Sequence, residues 1–347
     1  MKLLVVKLSS LGDVIHLLPA LTAAKRQCPA LGLDWVVEAA YAPLLEAHPL
    51  VDRVITVELR RWRRRPWRHG GAWRRFRSQL RRWRYDLVLD AQGLIKSAFI
   101  AAQARGPRVG LNWASAWEGP AAWSYQRKLA VDPRRHAIDR MGALLGQALD
   151  LSVSLDGHHL DYGFGDAARG GVAGNSRPYL VFCHGTSWPA KAWPELRWRQ
   201  LAAKAGALGF HVKLSWGNAA ERRRAEAIAA GLECAEVLPH LPLDHWLPLL
   251  GNARGVVAVD TGLAHLAAAL GTPTLTLYGP TDPRETGTRG RHQTQLQGQL
   301  PCIPCQRRRC HHPAAAPGWS PCLGTWDVAE VWEHLAALMA DADPSGS

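Results

Sequence analysis

Lys2-Leu3-Leu4-Val5-Val6-Lys7-Leu8-Ser9-Ser10-Leu11-Gly12-Asp13 stands near the start of a 347-residue chain, and its reading decides the fold. Residues 3–7 are a short apolar run, the length of a buried strand and far below the roughly 18 apolar residues of a membrane span. The run is also too short, and too soon broken by Lys7, for a secretory signal. Ser9, Ser10, Gly12 and Asp13 are turn and cap residues, so a helix is expected from about Asp13. Strand, polar turn and helix together open a parallel α/β unit.

The pattern repeats along the chain. Strands are expected over residues 33–38, 53–57, 86–90 and 108–111, with helical stretches between them and a helix over 136–150. Residues 164–178 are rich in Gly, Ala, Asn and Ser and read as linker. The alternation then restarts, with strands over 179–183, 210–216, 235–238, 255–259 and 274–278. The organisation expected is an N-terminal domain of residues 1–165, a linker of 166–178, a C-terminal domain of 179–326, and a helix and tail over 327–347. The last residues, 344–347, are expected to lack structure. In open α/β sheets ligands bind beyond the carboxyl ends of strands, at helix N-termini, so the loops there carry the candidate chemistry.

Charge singles out one segment. The chain carries 42 Lys and Arg against 29 Asp and Glu, a net charge of +13. Residues 60–84 hold twelve Arg and no Asp, Glu or Lys, so the rest of the chain is close to neutral. The same segment holds Trp62, Trp67, Trp73 and Trp83. Three partners suit it: nucleic acid, with Arg on phosphates and Trp on bases; an anionic membrane surface; or a polyanionic substrate held by guanidinium forks. An apolar fraction of 47% with 20% charged residues excludes general disorder and collagen-like sequence. Seven Cys, an odd number, do not suggest a secreted disulfide framework, which leaves the cytoplasm as the default compartment.

Several loops could bind or react. Asp13 is either a helix cap or a carboxylate able to act as general base. No GxGxxG follows the first strand, which counts against a dinucleotide enzyme. Asp90-Ala91-Gln92-Gly93-Leu94-Ile95-Lys96-Ser97 has the same strand–turn–helix form and offers Lys96 to an anion. In the second half, Thr186, Ser187 and Lys191 combine hydroxyls with an ammonium, a set that suits phosphate. Asp260-Thr261-Gly262-Leu263-Ala264-His265 places caps, a Gly in the first helical turn and a His after a very apolar strand. That Gly lowers helix propensity, which is explained if a ligand approaches the backbone. Cys302, Cys305, Cys310 and Cys322, with His311 and His312, are either free thiols in a Pro-stiffened loop or a structural zinc site of unusual spacing. Cys28, Cys183 and Cys234 read as core residues.

In order and spacing these motifs resemble the bacterial lipopolysaccharide heptosyltransferases of glycosyltransferase family 9, over nearly the whole chain. The residues that carry the likeness are Val6 to His16 with Leu18-Pro19-Ala20-Leu21, Asp34-Trp35-Val36-Val37-Glu38, Arg60-Arg61-Trp62-Arg63 and residues 90–97. In the second half they are residues 186–194, Trp216-Gly217, residues 259–265 and Tyr278-Gly279-Pro280-Thr281-Asp282-Pro283. Within the family the chain is most like the branch that adds the first heptose.

The resemblance implies a GT-B fold, two Rossmann-like domains facing a central cleft. It implies an inverting transfer from ADP-L-glycero-β-D-manno-heptose, bound by the C-terminal half, to Kdo of lipid A–Kdo in the N-terminal half. It also implies that Asp13 is the base and that Lys191 balances the departing diphosphate, helped by Thr186 and Ser187. Asp260 would hold heptose hydroxyls, and Thr261 and Gly262 would offer backbone donors with His265 beside them. Glu221 falls at the ribose position and Leu241 near the adenine. Ser10, Gly12, Arg60, Arg61, Arg63, Arg64 and Lys96 would face the acceptor. No cofactor is implied, and no DxD-type metal motif stands near the donor loops. Arg68 to Arg84 would hold the enzyme against the anionic cytoplasmic face of the inner membrane, and nucleic acid is then not a partner. Two departures bear on the acceptor: Trp117 stands where the family often has Arg, and the Cys-rich loop is more like that of the branch that adds the second heptose.

Overall fold

The opening run forms strand β1 (Lys2–Val6), and the turn after it starts helix α1 (Leu11–Ile15), in the computed structural model, which describes residues 1–64, 69–155, 159–165, 177–316 and 319–342. The side chains of Arg60 and Arg63 lie outside the described residues, as do Arg68, all but Arg177 and Pro178 of the expected linker, and the 344–347 tail. The chain divides into two compact units, Met1–Asp156 with Asp161–Phe164, and Gly157–Leu160 with Gly165–Ser347.

In the first unit the alternation continues through α2 (Leu18–Gln27), β2 (Gly32–Glu38), α3 (Ala42–Glu46), β3 (Arg53–Val57), α4 (Leu59–Arg64), α5 (Gly70–Leu80), β4 (Leu87–Asp90), α6 (Ile95–Ala101), β5 (Arg108–Leu111), β6 (Arg127–Leu129) and α7 (Ala137–Leu149). The second unit runs β7 (Tyr179–Cys183), α8 (Glu195–Ala207), β8 (His211–Leu214), α9 (Ala219–Ala229), β9 (Ala235–Val237), α10 (Trp246–Gly251), β10 (Gly255–Val259), α11 (Gly262–Ala269), β11 (Thr274–Tyr278), α12 (Pro283–Thr286), β12 (Gln293–Gln297) and α13 (Val328–Asp341).

Each unit holds one six-stranded sheet, in the orders β3-β2-β1-β4-β5-β6 and β12-β11-β10-β7-β8-β9. Among the described residues every pairing between these strands is parallel. Both orders have the doubly wound pattern, in which the winding reverses between the first and fourth strands. That reversal lies between β1 and β4 in one unit and between β7 and β10 in the other. The four loops leaving those strands are the ones whose polar residues stood out in the sequence.

The central strands β1, β7, β10 and β11 are buried almost throughout, as their unbroken apolar runs require in a sheet covered on both faces. Two strands, β6 and β12, were not anticipated. Both are sheet edges, β6 with exposed Arg127 and Lys128 and β12 reading Gln-Thr-Gln-Leu-Gln, so neither carries the apolar signal of a central strand. The strand expected over 210–216 is shorter, β8 alone. Cys183 is buried as expected, whereas Cys28 and Cys234 are only partly buried.

The first core gathers Leu4, Val6, Val36, Val57 and Val88 around Phe76 and Leu80 of α5, with Trp62 and Trp73 packed at its edge. Trp73, Phe76 and Leu80 recur at helical spacing, so α5 buries one stripe and leaves Arg74, Arg75 and Arg77 in solvent. The second core centres on Trp193, Trp198 and the strands of its own sheet, covered by Val331, Leu335 and Met339 of α13. Among the described residues no helix is long and apolar enough to cross a membrane.

Candidate functional site

The β1 and β4 loops of the first unit are held together by buried polar groups. Gln92 accepts from the Leu8 N–H at 2.7 Å and donates to the Ser9 carbonyl at 2.9 Å, so one side chain fixes both loops. Asp90 is fully buried; its Oδ1 accepts from the Gln92 and Gly93 N–H groups at 2.8 and 3.1 Å, and its Oδ2 from the Tyr125 hydroxyl at 2.7 Å. Burial raises the Asp90 carboxyl, and those hydrogen bonds pull the other way. Gly93 has φ of +68°, and a Cβ there would meet Leu111 at 3.2 Å. The turn that aims its N–H at Asp90 therefore suits glycine.

Asp13 lies in the first turn of α1, where its two oxygens do different things. Oδ2 accepts from the Ser10 N–H at 2.9 Å and the Ser10 hydroxyl at 2.7 Å, the capping role. Oδ1 faces Lys7 Nζ at 3.8 Å, and the carboxylate side chain is 44% exposed, open to a substrate hydroxyl. Capping and proton acceptance are thus compatible, one oxygen each. Lys7 is buried and donates to the Ala91 carbonyl at 3.0 Å. Burial lowers its pKa, with Asp13 and Asp90 pulling it back up. Gly12 is buried, and Ser10 and Lys96 are exposed. Arg61 and Arg64 are exposed on α4, which leaves β3 two strands from β1, roughly 10 Å across the sheet. Arg61 pairs with Glu58 at 3.2 Å, an exposed ion pair of little energetic weight.

In the second unit the β7 and β10 loops meet in a buried ion pair. Lys191 Nζ lies 2.6 Å from Asp260 Oδ2, the side chains only 13% and 9% exposed. The same oxygen accepts from the Thr281 hydroxyl at 2.6 Å, and His265 Nε2 stands 3.9 Å from Oδ1. Burial alone would raise the Asp260 carboxyl, but His265 and the Lys191 charge outweigh it and hold the group well below the usual carboxylate range. Lys191 also sits over the Trp188 indole, 4.5 Å from its centroid. Thr261 is the N-cap of α11 and Gly262 its first residue, so the free amides and positive end of the helix dipole lie beside this cluster.

These loops, on paired Rossmann sheets, invite comparison with known proteins. The profile of glycosyltransferase family 9 (heptosyltransferase) matches residues 73–316. The chain belongs to glycosyltransferase family 9. Lipopolysaccharide heptosyltransferase 1 of Pseudomonas aeruginosa is 49% identical over 315 residues, 89% of this chain and 87% of that protein. The solved structure of the E. coli heptosyltransferase WaaC with ADP superposes with a TM-score of 0.86 at 35% identity, over 97% of this chain and 100% of that one. The same enzyme with ADP-2-deoxy-2-fluoro heptose gives 0.79 at 38% identity, over 86% and 94%. The fold of this family member is accordingly GT-B.

Not every residue singled out in the sequence joins these clusters. Glu221 lies in the first turn of α9, where its Oε2 accepts from the Gly217 N–H at 2.7 Å; its carboxyl packs against Gly185 of the β7 loop but stands apart from the Lys191–Asp260 pair. Leu241 is half-buried beyond β9, two strands from β7. The Thr186 hydroxyl accepts from the Trp188 N–H at 3.4 Å, within its own loop, and Ser187 is exposed. Cys302, Cys305, Cys310 and Cys322 line one small apolar cavity with His312. Among the described residues no three His, Cys, Asp or Glu are arranged to hold a metal ion. Lys7, Gln92 and Thr281 take part without having been singled out. The available signal for Lys7 was a charge at the end of an otherwise apolar strand; Gln92 and Thr281 stand in loops the sequence did mark, but their own roles depend on partners distant in sequence.

Proposed function

We propose that this family 9 member transfers L-glycero-D-manno-heptose from ADP-heptose to Kdo of lipid A–Kdo, with inversion, in lipopolysaccharide core synthesis. The observation that carries the donor side is the Lys191–Asp260 pair beside the N-terminus of α11. A leaving ADP gains negative charge as the glycosidic bond breaks. A buried ammonium and fixed helix-terminal amides of Thr261 and Gly262 meet that charge without reorganisation, which is where electrostatic stabilisation is most effective. Once the incoming phosphates share the Lys191 ammonium, Asp260 accepts from heptose hydroxyls, with His265 beside it. Glu221 and Leu241 lie successively further along the sheet, an order that suits ribose and then adenine; Thr186 and Ser187 add hydroxyls near the diphosphate.

On the acceptor side, Asp13 takes the proton from the attacking Kdo hydroxyl on Oδ1, while Oδ2 keeps its bonds to Ser10. Lys7, held on Ala91, fixes where that oxygen points. Gly12 leaves room beside it. Lys96, Arg61 and Arg64, with Arg60 and Arg63 of the same helix, supply cations for the acceptor's phosphates and carboxylates. Because the acceptor is a lipid, the enzyme works at the cytoplasmic face of the inner membrane, and the basic face of α5 suits an anionic surface there.

The test is product formation followed by mass spectrometry, offering ADP-heptose with Kdo-lipid A or with already heptosylated Kdo-lipid A. Product from the first acceptor is expected. Product from the second alone would replace this reading with that of the second heptosyltransferase.

A further inference from the structure

The large apolar side chains left in solvent are concentrated on one part of the first unit. Ile95, Phe99, Trp113, Trp117 and Trp123 are all more than half exposed, Trp117 at 66% and Trp123 at 74%. Local packing makes Ile95, Phe99, Trp113 and Trp123 neighbours, and Trp117 follows in the same loop, its ring under the Arg140 guanidinium of α7 at 5.1 Å. The 3-10 turn Gly119–Ser124 packs on α6 through Ala98, Ala121, Ala122 and Tyr125. The Ile95 N–H donates to Glu118 Oε2 at 2.6 Å, which ties the start of α6 to the residue after Trp117. The Trp113 indole lies on Gly119, where a Cβ would stand 2.7 Å from the ring, and its centroid is 5.3 Å from that of Trp123. On α6, Ile95 and Phe99 share one face at i, i+4.

This surface is continuous with the basic helix. Phe99 stacks on Trp73 of α5, centroids 5.6 Å apart and planes 16° from parallel. Exposed Arg74, Arg75 and Arg77 of α5 and exposed Lys96 of α6 therefore border the aromatic patch. Glu118, the acid within it, is occupied by the Ile95 amide. Tryptophan with an adjoining arginine fringe is the composition favoured at the boundary between headgroups and acyl chains. A second copy of this chain would bring the same arginines against each other, whereas an anionic bilayer satisfies both parts of the surface.

We propose that Ile95, Phe99, Trp113, Trp117 and Trp123 form an insertion surface for an anionic phospholipid bilayer, with Arg74, Arg75, Arg77 and Lys96 on the headgroups. The proposal rests on the membrane-surface reading above and deepens it, because basic residues alone would only hold the protein electrostatically. The experiment uses the full chain with vesicles of phosphatidylethanolamine and phosphatidylglycerol, some carrying brominated acyl chains, by sedimentation and tryptophan quenching. Trp117→Ser with Trp123→Ser removes the two most exposed rings; Arg74→Gln, Arg75→Gln and Arg77→Gln form the second variant. Thermal unfolding of each variant serves as the folding control.

The wild type is expected to bind, to be quenched by brominated chains, and to keep part of its binding at high salt, which screens the arginines but not the aromatic contacts. The tryptophan variant should lose at least about tenfold in partitioning, together with the quenching and the salt-resistant fraction. The arginine variant should lose the preference for anionic over neutral vesicles while keeping quenching where it binds. Unchanged binding and quenching in the tryptophan variant, with loss only in the arginine variant, would overturn the insertion surface and leave the membrane reading standing. Absence of wild-type binding to any vesicle would overturn both. A tryptophan variant that changes oligomeric state but not vesicle binding would assign the patch to a second copy and overturn the proposal.

Discussion

Lys191→Met, Asp260→Asn and the double variant test whether the donor-side pair is one structural unit with a divided function. Nζ and Oδ2 are 2.6 Å apart and both side chains are largely buried. Removing one member of such a pair strands the other charge, typically at about 3–5 kcal/mol. After Lys191→Met, Asp260 keeps the Thr281 hydroxyl at 2.6 Å and His265 at 3.9 Å, which places the expected loss near the lower end, about 3 kcal/mol. After Asp260→Asn, the amide oxygen still accepts from Thr281 and Lys191 retains the Trp188 face, so the loss should be of similar size or smaller. The double variant buries no unpaired charge, and the coupling should be about 1–3 kcal/mol by urea unfolding. Transfer should behave differently: Lys191→Met loses the counter-charge to the leaving diphosphate, a fall of about 10²–10³ in kcat, and the double variant does not recover it. Destabilisations that add within about 0.5 kcal/mol would refute the pair as a unit. Recovery of turnover in the double variant would refute the direct role of Lys191.

Asp13→Asn keeps an oxygen to cap Ser10 but cannot accept the acceptor proton; turnover should fall by about 10²–10⁴ with ADP-heptose affinity unchanged, and intact turnover would remove Asp13 as the base. His184, the fully buried residue that follows β7, has its imidazole lowered from 6.5 to about 4 by burial, reinforced by the charge of Arg224 on α9. Between those values the unfolded chain binds a proton that the folded chain does not, so this group makes stability rise with pH across the window and cuts it by about 3 kcal/mol from pH 7 to pH 4. His184→Gln should flatten the pH slope of urea stability relative to wild type; an identical slope would contradict the assignment. Tyr125→Phe should cost about 1–3 kcal/mol by removing the hydroxyl from which buried Asp90 Oδ2 accepts, and an unchanged urea midpoint would refute this.

Much of this was legible in the sequence because a buried parallel strand must be apolar along its length and must end in turn residues. β1, β7, β10 and β11 announce themselves that way, and Asp13, Lys191, Asp260 and Thr261 follow as the polar residues just beyond strand ends. Edge strands such as β6 and β12 escape the rule because solvent covers part of them. The exposed tryptophans of residues 113–123 escape it for another reason: composition counts tryptophan without saying whether a neighbouring element covers it.

The sequence by itself determined the alternation of elements, the polar loops at the strand ends and the single basic segment, since each depends only on residues close along the chain. The tertiary structure decided which loops meet. Crossover connections place β4 beside β1 and β10 beside β7, so Gln92 reaches the Leu8 and Ser9 backbone, Lys7 reaches Ala91, and Lys191 reaches Asp260. Those contacts follow from strand order, and strand order is set by how whole helices and strands bury their apolar faces together.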